Sequence, residues 1–285
     1  MENRFAVRWK ELESTRPVPR RVRNVVKIDF DTFQELVFRQ ESSFVESITD
    51  SIYSGDAYIF EQALDPGYLK DLKHQLFEYQ KRTPSTFHKL FDGCPDFHFR
   101  AEQAVGPKGG YVAIDHSFYF HPWNDDPLGL FSTFREKWAP IKVLSGYQAN
   151  EFVGKIPSQG PTERIQVIHY PSGAGYISPH SDPWKNQKVI FGPFLTKRGV
   201  DYQTGGFYVF DEQTRKKRYI EDEVEMGSFV SVHPAVIHGV DIVDSNRKPN
   251  WNAIDGRWYI AFNSIDSHYT KNRLTAVPPA EGELI

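Results

Sequence analysis

The 285-residue sequence has little cysteine, no long apolar run and almost no excess charge. Cys94 is the only cysteine, so the chain can form neither an intrachain disulfide nor a thiolate-cluster metal site. No segment approaches the roughly 18 consecutive apolar residues of a membrane span, and the polar N-terminus lacks a signal-peptide core. We therefore expect a cytoplasmic protein that does not associate with membranes.

Charge and aromatic content indicate which class of partner and which type of core to expect. The net charge of −3 at pH 7 provides no general attraction to nucleic acid. The basic run 215–218 faces the acidic residues 221–223 in sequence, which favours a solvated hairpin tip over a nucleic-acid patch. Aromatic residues make up 15% of the chain, and this favours a β-rich core. We expect a small-molecule partner rather than nucleic acid.

Hydrophobic patterning separates an N-terminal part from the rest of the chain. Residues 1–25 are basic and proline-containing, and we expect a loosely ordered arm there. Residues 26–163 are predicted to be helical and loop-rich, supporting the sheet and covering the pocket. The periodicity in this part predicts helices over 29–44, 68–81 and 131–148 and a strand over 57–60, with a loop-rich stretch over 82–130.

Residues 164–285 have a different sequence pattern, in which short apolar runs alternate with turns that contain glycine, proline and charged residues. The runs predict strands over 165–170, 177–182, 189–195, 206–210, 218–220, 228–233, 237–243 and 258–263. So many short strands are typical of a jelly-roll or double-stranded β-helix. The predicted class is α+β with a mainly β core: a double-stranded β-helix with a helical N-terminal half packed against it as one functional unit.

The triplet His180-Ser181-Asp182 is the most informative motif. On a strand the side-chain period is two, so His180 and Asp182 leave the same face. With His238 from a second strand they would form a facial triad, which leaves adjacent metal positions open as non-haem Fe(II) oxygenases require. His233 is the competing third ligand. We prefer His238 because Gly239 and an apolar strand follow it.

An open ferrous site raises the question of a co-substrate. A 2-oxo acid can take two of the three open positions and O2 the third, and its far carboxylate then needs a buried cation. Arg257 opens the last predicted strand, and its planar fork suits a carboxylate. Arg247 is closer to His238 in sequence but sits in the polar loop 244–249, so we expect it to be solvated.

Several motifs, in this order, resemble those of the Fe(II)/2-oxoglutarate-dependent dioxygenases, and within them the prolyl-4-hydroxylase-like branch. The matching segments are HYPSGAGYISPHSD (169–182), DYQTGGF (201–207), IHGV (237–240) and GRW (256–258). The resemblance covers about residues 164–266 and implies a double-stranded β-helix. It also implies Fe(II), 2-oxoglutarate and O2 as the cofactor and co-substrates.

The same resemblance implies roles for individual residues. It places Fe(II) at His180, Asp182 and His238. It places the distal carboxylate of 2-oxoglutarate at Arg257, and it implies a further co-substrate contact for Tyr170. Two features depart from the pattern: Phe194 stands where some members have a second tyrosine, and the loop 244–255 lengthens the interval before Arg257.

The implied reaction is hydroxylation of an unactivated C–H bond of a small organic substrate, with release of succinate and CO2. Tyr176 and Trp184 flank the metal triplet and are the candidate residues of the substrate pocket. Four alternatives stay open at this point: a peptide or protein hydroxylase of the same superfamily, a non-catalytic jelly-roll binding protein, an oxidase that uses no 2-oxo acid, and desaturation or cyclisation by the same centre.

Overall fold

The computed structural model describes residues 2–106 and 110–284. Residues 1, 107–109 and 285, which the predicted arm, loop-rich stretch and β core include, lie outside the described residues. The α-helices are α1 Arg4–Thr15, α2 Phe30–Arg39, α3 Ser42–Tyr53, α4 Pro66–Tyr79 and α5 Leu130–Leu144. None of the helices in the described part is long and apolar enough to span a bilayer.

Strands make up the other half of the regular structure. They are β1 Val25–Asp29, β2 Ala57–Glu61, β3 Phe97–Arg100, β4 Ala113–Ile114, β5 His116–Phe120, β6 Thr162–Pro171, β7 Tyr176–His180, β8 Ile190–Pro193, β9 Gly206–Phe210, β10 Lys217–Arg218, β11 Phe229–Val232, β12 His238–Asp241 and β13 Gly256–Ile265. The structure therefore confirms the predicted mixed α+β class.

The strands form three sheets, two of which meet edge to edge. Their orders are β1-β2-β11-β8, β13-β6-β5-β3 and β10-β9-β12-β7-β4. The first two meet where Phe194 bridges Tyr259 in an antiparallel pair. Gly192 permits this approach, because a Cβ atom there would collide with the carbonyl oxygen of Ile260. Eight strands therefore form one continuous surface, and the third sheet has five.

The largest apolar core lies between the helices and this eight-stranded surface. Phe33 of α2 packs on Phe60 of β2 with ring centroids 4.1 Å apart, and Phe134 of α5 packs on Phe262 of β13 at 5.1 Å. Burial of such side chains, at roughly 25 cal/mol per Å2 of apolar surface, holds the helices on the sheet. The alternate residues of the same strands are left for the opposite face.

The N-terminal arm was predicted wrongly. Residues 4–15 form α1, and Phe5, Trp9 and Leu12 are buried along one face at i, i+4 and i+7. The indole Nε1 of Trp9 donates a hydrogen bond to the carbonyl oxygen of Leu144 at 2.6 Å, which ties α1 to the end of α5. The segment is thus part of the core.

The predicted helix over 29–44 is in fact two helices. Asp29 caps α2 by accepting from the N–H of Thr32 at 2.8 Å, as its sequence position indicates. Gln40 then adopts a left-handed conformation (φ 50°) and ends α2, so α3 starts as a separate element. The helices predicted over 68–81 and 131–148 correspond to α4 and α5.

The predicted boundary at residue 163 passes through the sheets. β5 pairs with β6 from His116↔His169 to Phe120↔Ile165, and β2 pairs with β11. The segment 26–163 therefore contributes five strands rather than helices and loops alone, and three of them (β3, β4 and β5) lie in the stretch predicted to be loop-rich. All eight strands predicted beyond residue 164 have a counterpart, although β10 shrinks to two residues.

Candidate metal centre

His180, Asp182 and His238, which we call the triad, converge as the sequence predicts. β7 and β12 pair antiparallel with His180 directly opposite His238. Asp182 follows two residues later, and its N–H donates to the carbonyl oxygen of Pro234 at 2.8 Å. One ligand atom from each of the three side chains lies within 4.8 Å of the others.

Hydrogen bonds orient both imidazoles toward a common centre. The Nδ1 of His180 lies 2.8 Å from the carbonyl oxygen of Ser178, and the Nδ1 of His238 lies 2.9 Å from that of Val236. Because a carbonyl only accepts, each Nδ1 carries the proton and each Nε2 keeps its lone pair. The Nε2 of His238 lies 3.5 Å from Oδ2 of Asp182. Two imidazole lone pairs and one carboxylate fit a divalent first-row metal such as Fe(II).

The electrostatics keep the ligands in the forms that a metal needs. Burial, with His238 nearby, lowers the pKa of His180 to about 4, so its imidazole is neutral near pH 7. Burial raises the pKa of Asp182, but its interactions with the adjacent His238 and His180 outweigh the effect of burial and hold that pKa below its usual value. A neutral imidazole and an ionised carboxylate bind metal without first losing a proton.

His233, the competing ligand, lies elsewhere. It is fully buried among aromatic rings, 6.0 Å from Trp9, 5.5 Å from Tyr53 and 5.9 Å from Trp184 between ring centroids. Its Nδ1 accepts from the N–H of Ala235 at 3.1 Å. His233 is therefore a core residue, and the choice of His238 agrees with the structure.

The triad opens into an inner cavity of about 170 Å3. The large sheet supplies one wall of this cavity, and β7, β9 and β12 supply the opposite one. Alternate residues of β6 and β13, paired across the strands, line it as four cross-strand pairs that we call the ladder: Tyr170↔Arg257, Ile168↔Tyr259, Gln166↔Ala261 and Arg164↔Asn263. The ladder has a guanidinium at each end.

The inner end of the ladder holds Arg257, which the sequence assigns to the co-substrate carboxylate. Arg257 is buried, 2% exposed, and its Nε donates to the carboxylate of Glu221, which also accepts from the hydroxyl of Tyr202. Burial by itself would lower the pKa of Arg257, but the negative charge of Glu221 outweighs the effect of burial, so the pKa of Arg257 is raised. Gly206 (φ 103°) makes room, because a Cβ there would collide with Glu221. Nη1 and Nη2 of Arg257 have no hydrogen-bond partner among the described residues, so both can donate to a ligand.

Tyr170, which is predicted to contact the co-substrate, lines the inner cavity beside Arg257. The ring centroid of Tyr170 is 5.1 Å from Cζ of Arg257, and the ring centroid of Phe194 is 5.0 Å from the same atom. Burial raises the pKa of Tyr170 well above its usual value, so its hydroxyl stays a donor. Phe194 offers no hydroxyl, as the sequence indicates, but Tyr259 on the ladder supplies one that the sequence reasoning missed.

The predicted pocket residues Tyr176 and Trp184 do not line this cavity in the described part of the chain. The pairing of β7 with β12 contains a bulge. His180 lies opposite His238 and Ile177 lies opposite Val240, so an advance of three residues on β7 matches an advance of two on β12. This bulge breaks the two-residue alternation and turns Ile177, not Tyr176, toward the cavity. Trp184 packs instead beside His233.

A second cavity of about 240 Å3, the outer chamber, continues from the outer end of the ladder. The two cavities share Tyr111, Arg164, Gln166, Asp182 and Asn263. Tyr111 stacks on His180 with ring centroids 4.9 Å apart, and residues 273–276 form part of the chamber wall. The sequence reasoning missed this chamber, although Arg164 and Gln166 share the strand parity of Tyr170.

Comparisons with known proteins find matches among solved structures. No protein-family model matches the chain. No curated protein matches it either. Solved structures that match include a prolyl-4-hydroxylase from Pseudomonas putida, at 12% identity over 81% of this chain and 95% of that chain, with a TM-score of 0.43.

Two further matches are of the same kind. HygX from Streptomyces hygroscopicus, with nickel and 2-oxoglutarate bound, is 9% identical over 78% of this chain and 87% of that one, with a TM-score of 0.39. An oxidoreductase of the 2OG-Fe(II) oxygenase family from Burkholderia pseudomallei is 12% identical over 87% and 99%, with a TM-score of 0.38. These descriptions agree with the predicted resemblance.

Proposed function

We propose that this chain is an Fe(II)- and 2-oxoglutarate-dependent oxygenase related to the prolyl-4-hydroxylase-like branch. The observation that carries the proposal is the presence of the triad and Arg257 in one buried cavity. A metal site with open positions and a guanidinium for a distal carboxylate is the combination that a chelating 2-oxo acid requires.

The fold that we propose is a double-stranded β-helix. Support comes from the position of the cavity between the eight-stranded surface and the five-stranded sheet. Val230 and Tyr259 line it from the first, and Phe207 and Ile177 line it from the second. Strands of opposite sheets that face one central cavity are expected of that fold.

Different residues of the inner cavity would bind the metal and the co-substrate. The triad would hold Fe(II), while Nη1 and Nη2 of Arg257 and the Tyr170 hydroxyl would bind the distal carboxylate of 2-oxoglutarate. When bound, Fe(II) and 2-oxoglutarate supply the O2-dependent oxidation that hydroxylates a C–H bond and yields succinate and CO2. Tyr111 orients the ring of His180 by stacking, and Ile168 contributes to the apolar wall that limits water near the metal.

We propose a small organic substrate rather than an extended peptide. The outer chamber of about 240 Å3 is bounded by residues 185–187 on one side and by residues 273–276 on another, which suits a compact ligand. The cytoplasmic location predicted from the sequence stays a prediction.

The test is succinate formation from 2-oxoglutarate by the purified protein with Fe(II), O2 and a pool of small metabolites. His238→Ala should lower the rate at least about 100-fold, because it removes a metal ligand. The matched control is His233→Asn, whose amide oxygen can still accept from the N–H of Ala235, and it should keep the wild-type rate. A wild-type protein that forms no succinate, or an equal loss in both variants, would refute the proposal.

A further inference from the structure

Arg164 at the outer end of the ladder has an unusual environment. It lies on β6 opposite Asn263 of β13 and lines both the inner cavity and the outer chamber. Its Nη2 donates to Oε1 of Gln166 at 2.7 Å, and its Cζ lies 5.1 Å from the ring centroid of Tyr119. Across residues 2–106 and 110–284, its buried Nε has no hydrogen-bond partner and no carboxylate forms an ion pair with it.

A guanidinium in this position is costly to the free protein. Burial lowers the pKa of Arg164 and the charge of Arg273 adds to the lowering, while Tyr119, Tyr111 and Asp182 oppose it without reversing it. Arginine nevertheless stays protonated near pH 7, so the positive charge persists inside the cavity. A buried charge without a counter-ion lowers stability until an anion pairs with it.

The other charges of the outer chamber do not neutralise Arg164. Lys185 lies 3.5 Å from Asp266 and Asn186 donates to the same carboxylate at 3.0 Å, so that lysine and that aspartate balance each other. Arg273 contacts the ring of His268 and, among the described residues, forms no ion pair with a carboxylate. Asp182 belongs to the triad. The chamber therefore carries excess positive charge.

The co-substrate cannot supply this missing anion. Arg164 is six residues from Tyr170 along β6, a separation of about 20 Å at the rise of an extended strand. A 2-oxoglutarate molecule that chelates the metal and reaches Arg257 points toward the opposite end of the ladder. On the side of the triad that faces the outer chamber, Asp182 lines both cavities, as Arg164 does, whereas His180, His238 and Arg257 line only the inner one.

We propose that Arg164 binds a carboxylate of the substrate, so that the oxygenase acts on a small organic acid that enters through the outer chamber. This inference rests on the proposed function. The carboxylate would pair with the fork of Arg164, Asn263 would add an amide N–H from the facing strand, and the body of the acid would extend toward the triad. The position of the charge then selects which C–H bond lies beside the metal.

The experiment measures binding to the metal-free protein by calorimetry, with saturating 2-oxoglutarate present to occupy Arg257. The probes are phenylacetate and hexanoate, each compared with its primary amide, which has the same shape without the charge. We expect each acid to bind the wild type at least about 10-fold more tightly than its amide, because a charge-assisted pair forms in a site shielded from water. Arg164→Gln should remove this preference. Arg39→Gln, at an exposed arginine paired with Glu35, is the control and should keep it.

The outcomes separate this inference from the proposed function. Binding is measured without iron, so it does not depend on turnover. An acid preference that Arg164→Gln removes, in a protein that forms no succinate, would refute the oxygenase and leave the carboxylate site. Succinate formation without an acid preference in the wild type, or with an acid preference that survives Arg164→Gln, would overturn the carboxylate site and leave the oxygenase.

Discussion

The two ends of the ladder use the same residue type in opposite ways. Arg257 and Arg164 lie on facing strands and line the same cavity, yet within the part of the chain that the structure describes only Arg257 has a carboxylate partner, the buried Glu221. The inner end is therefore neutral before any ligand arrives and can be specific through hydrogen-bond geometry. The outer end keeps an unbalanced charge that only a ligand can neutralise. Arg257 is fully buried and has a counter-ion, whereas Arg164 is partly buried and has none among the described residues.

The largest effect is expected from breaking the inner pair. Arg257→Met leaves Glu221 buried without its cation, which should lower the free energy of unfolding by about 3–5 kcal/mol. Binding of 2-oxoglutarate should weaken at least about 100-fold, because the donors for its distal carboxylate are lost. Urea unfolding and calorimetry measure the two effects. A loss below about 1 kcal/mol would show that Arg257 and Glu221 are not coupled.

Glu221→Gln makes the inner end resemble the outer one. The amide oxygen can still accept from Nε of Arg257, so the free energy of unfolding should fall by only about 2 kcal/mol. The charge of Arg257 is then unbalanced, and 2-oxoglutarate, a dianion, should bind several-fold more tightly. Titration of both proteins with 2-oxoglutarate checks this. Weaker binding by the variant would mean that Glu221 positions Arg257 rather than balancing its charge.

His233 lies in the aromatic core and not in the triad, and its burial has a consequence for stability. Burial lowers the pKa of His233 to about 3, from an ordinary value of 6.5, so the unfolded chain takes up a proton first as the pH falls. The stability contributed by neutral His233 is complete above pH 6.5 and is lost as the pH falls toward 3. Between pH 7 and pH 5 the wild type should therefore lose about 2 kcal/mol more than His233→Asn in chemical unfolding. Equal losses would place His233 outside the core.

The smallest effect is expected at Arg164. Arg164→Met removes a partly buried charge without breaking an ion pair among the described residues, so the free energy of unfolding should stay level or rise by about 1 kcal/mol. The same substitution type thus has opposite signs at the two ends of the ladder. A loss of more than about 2 kcal/mol in urea unfolding would indicate that Arg164 has a counter-ion within the protein.

Strand spacing, together with the resemblance to the dioxygenases, predicted that the triad converges and that Arg257 is buried. His180 and Asp182 are two residues apart on one strand, and the apolar runs around His238 and Arg257 mark the other two strands. The partner of Arg257 could not be predicted in the same way. Glu221 lies in an acidic turn whose neighbours Asp222 and Glu223 do pair with surface arginines, and nothing local distinguishes it from them.

The remaining errors also have physical causes. The bulge in β7 moves Ile177 into the cavity in place of Tyr176, and a bulge depends on pairing between strands that are distant in sequence. Charged residues around Phe5, Trp9 and Leu12 obscured the helical spacing of α1, whose burial depends on packing against the distant α5. Tertiary contacts decided each of these cases.

The central claim is that His180, Asp182 and His238 hold one ferrous ion that 2-oxoglutarate chelates. The most direct measurement is an anaerobic titration of the protein with Fe(II) in the presence of 2-oxoglutarate, in chloride-free buffer, followed by the visible charge-transfer absorption of the chelate. The wild type should bind one iron per chain and develop the absorption band, whereas Asp182→Ala should develop none. The same band at the same iron concentration in both proteins would contradict the account.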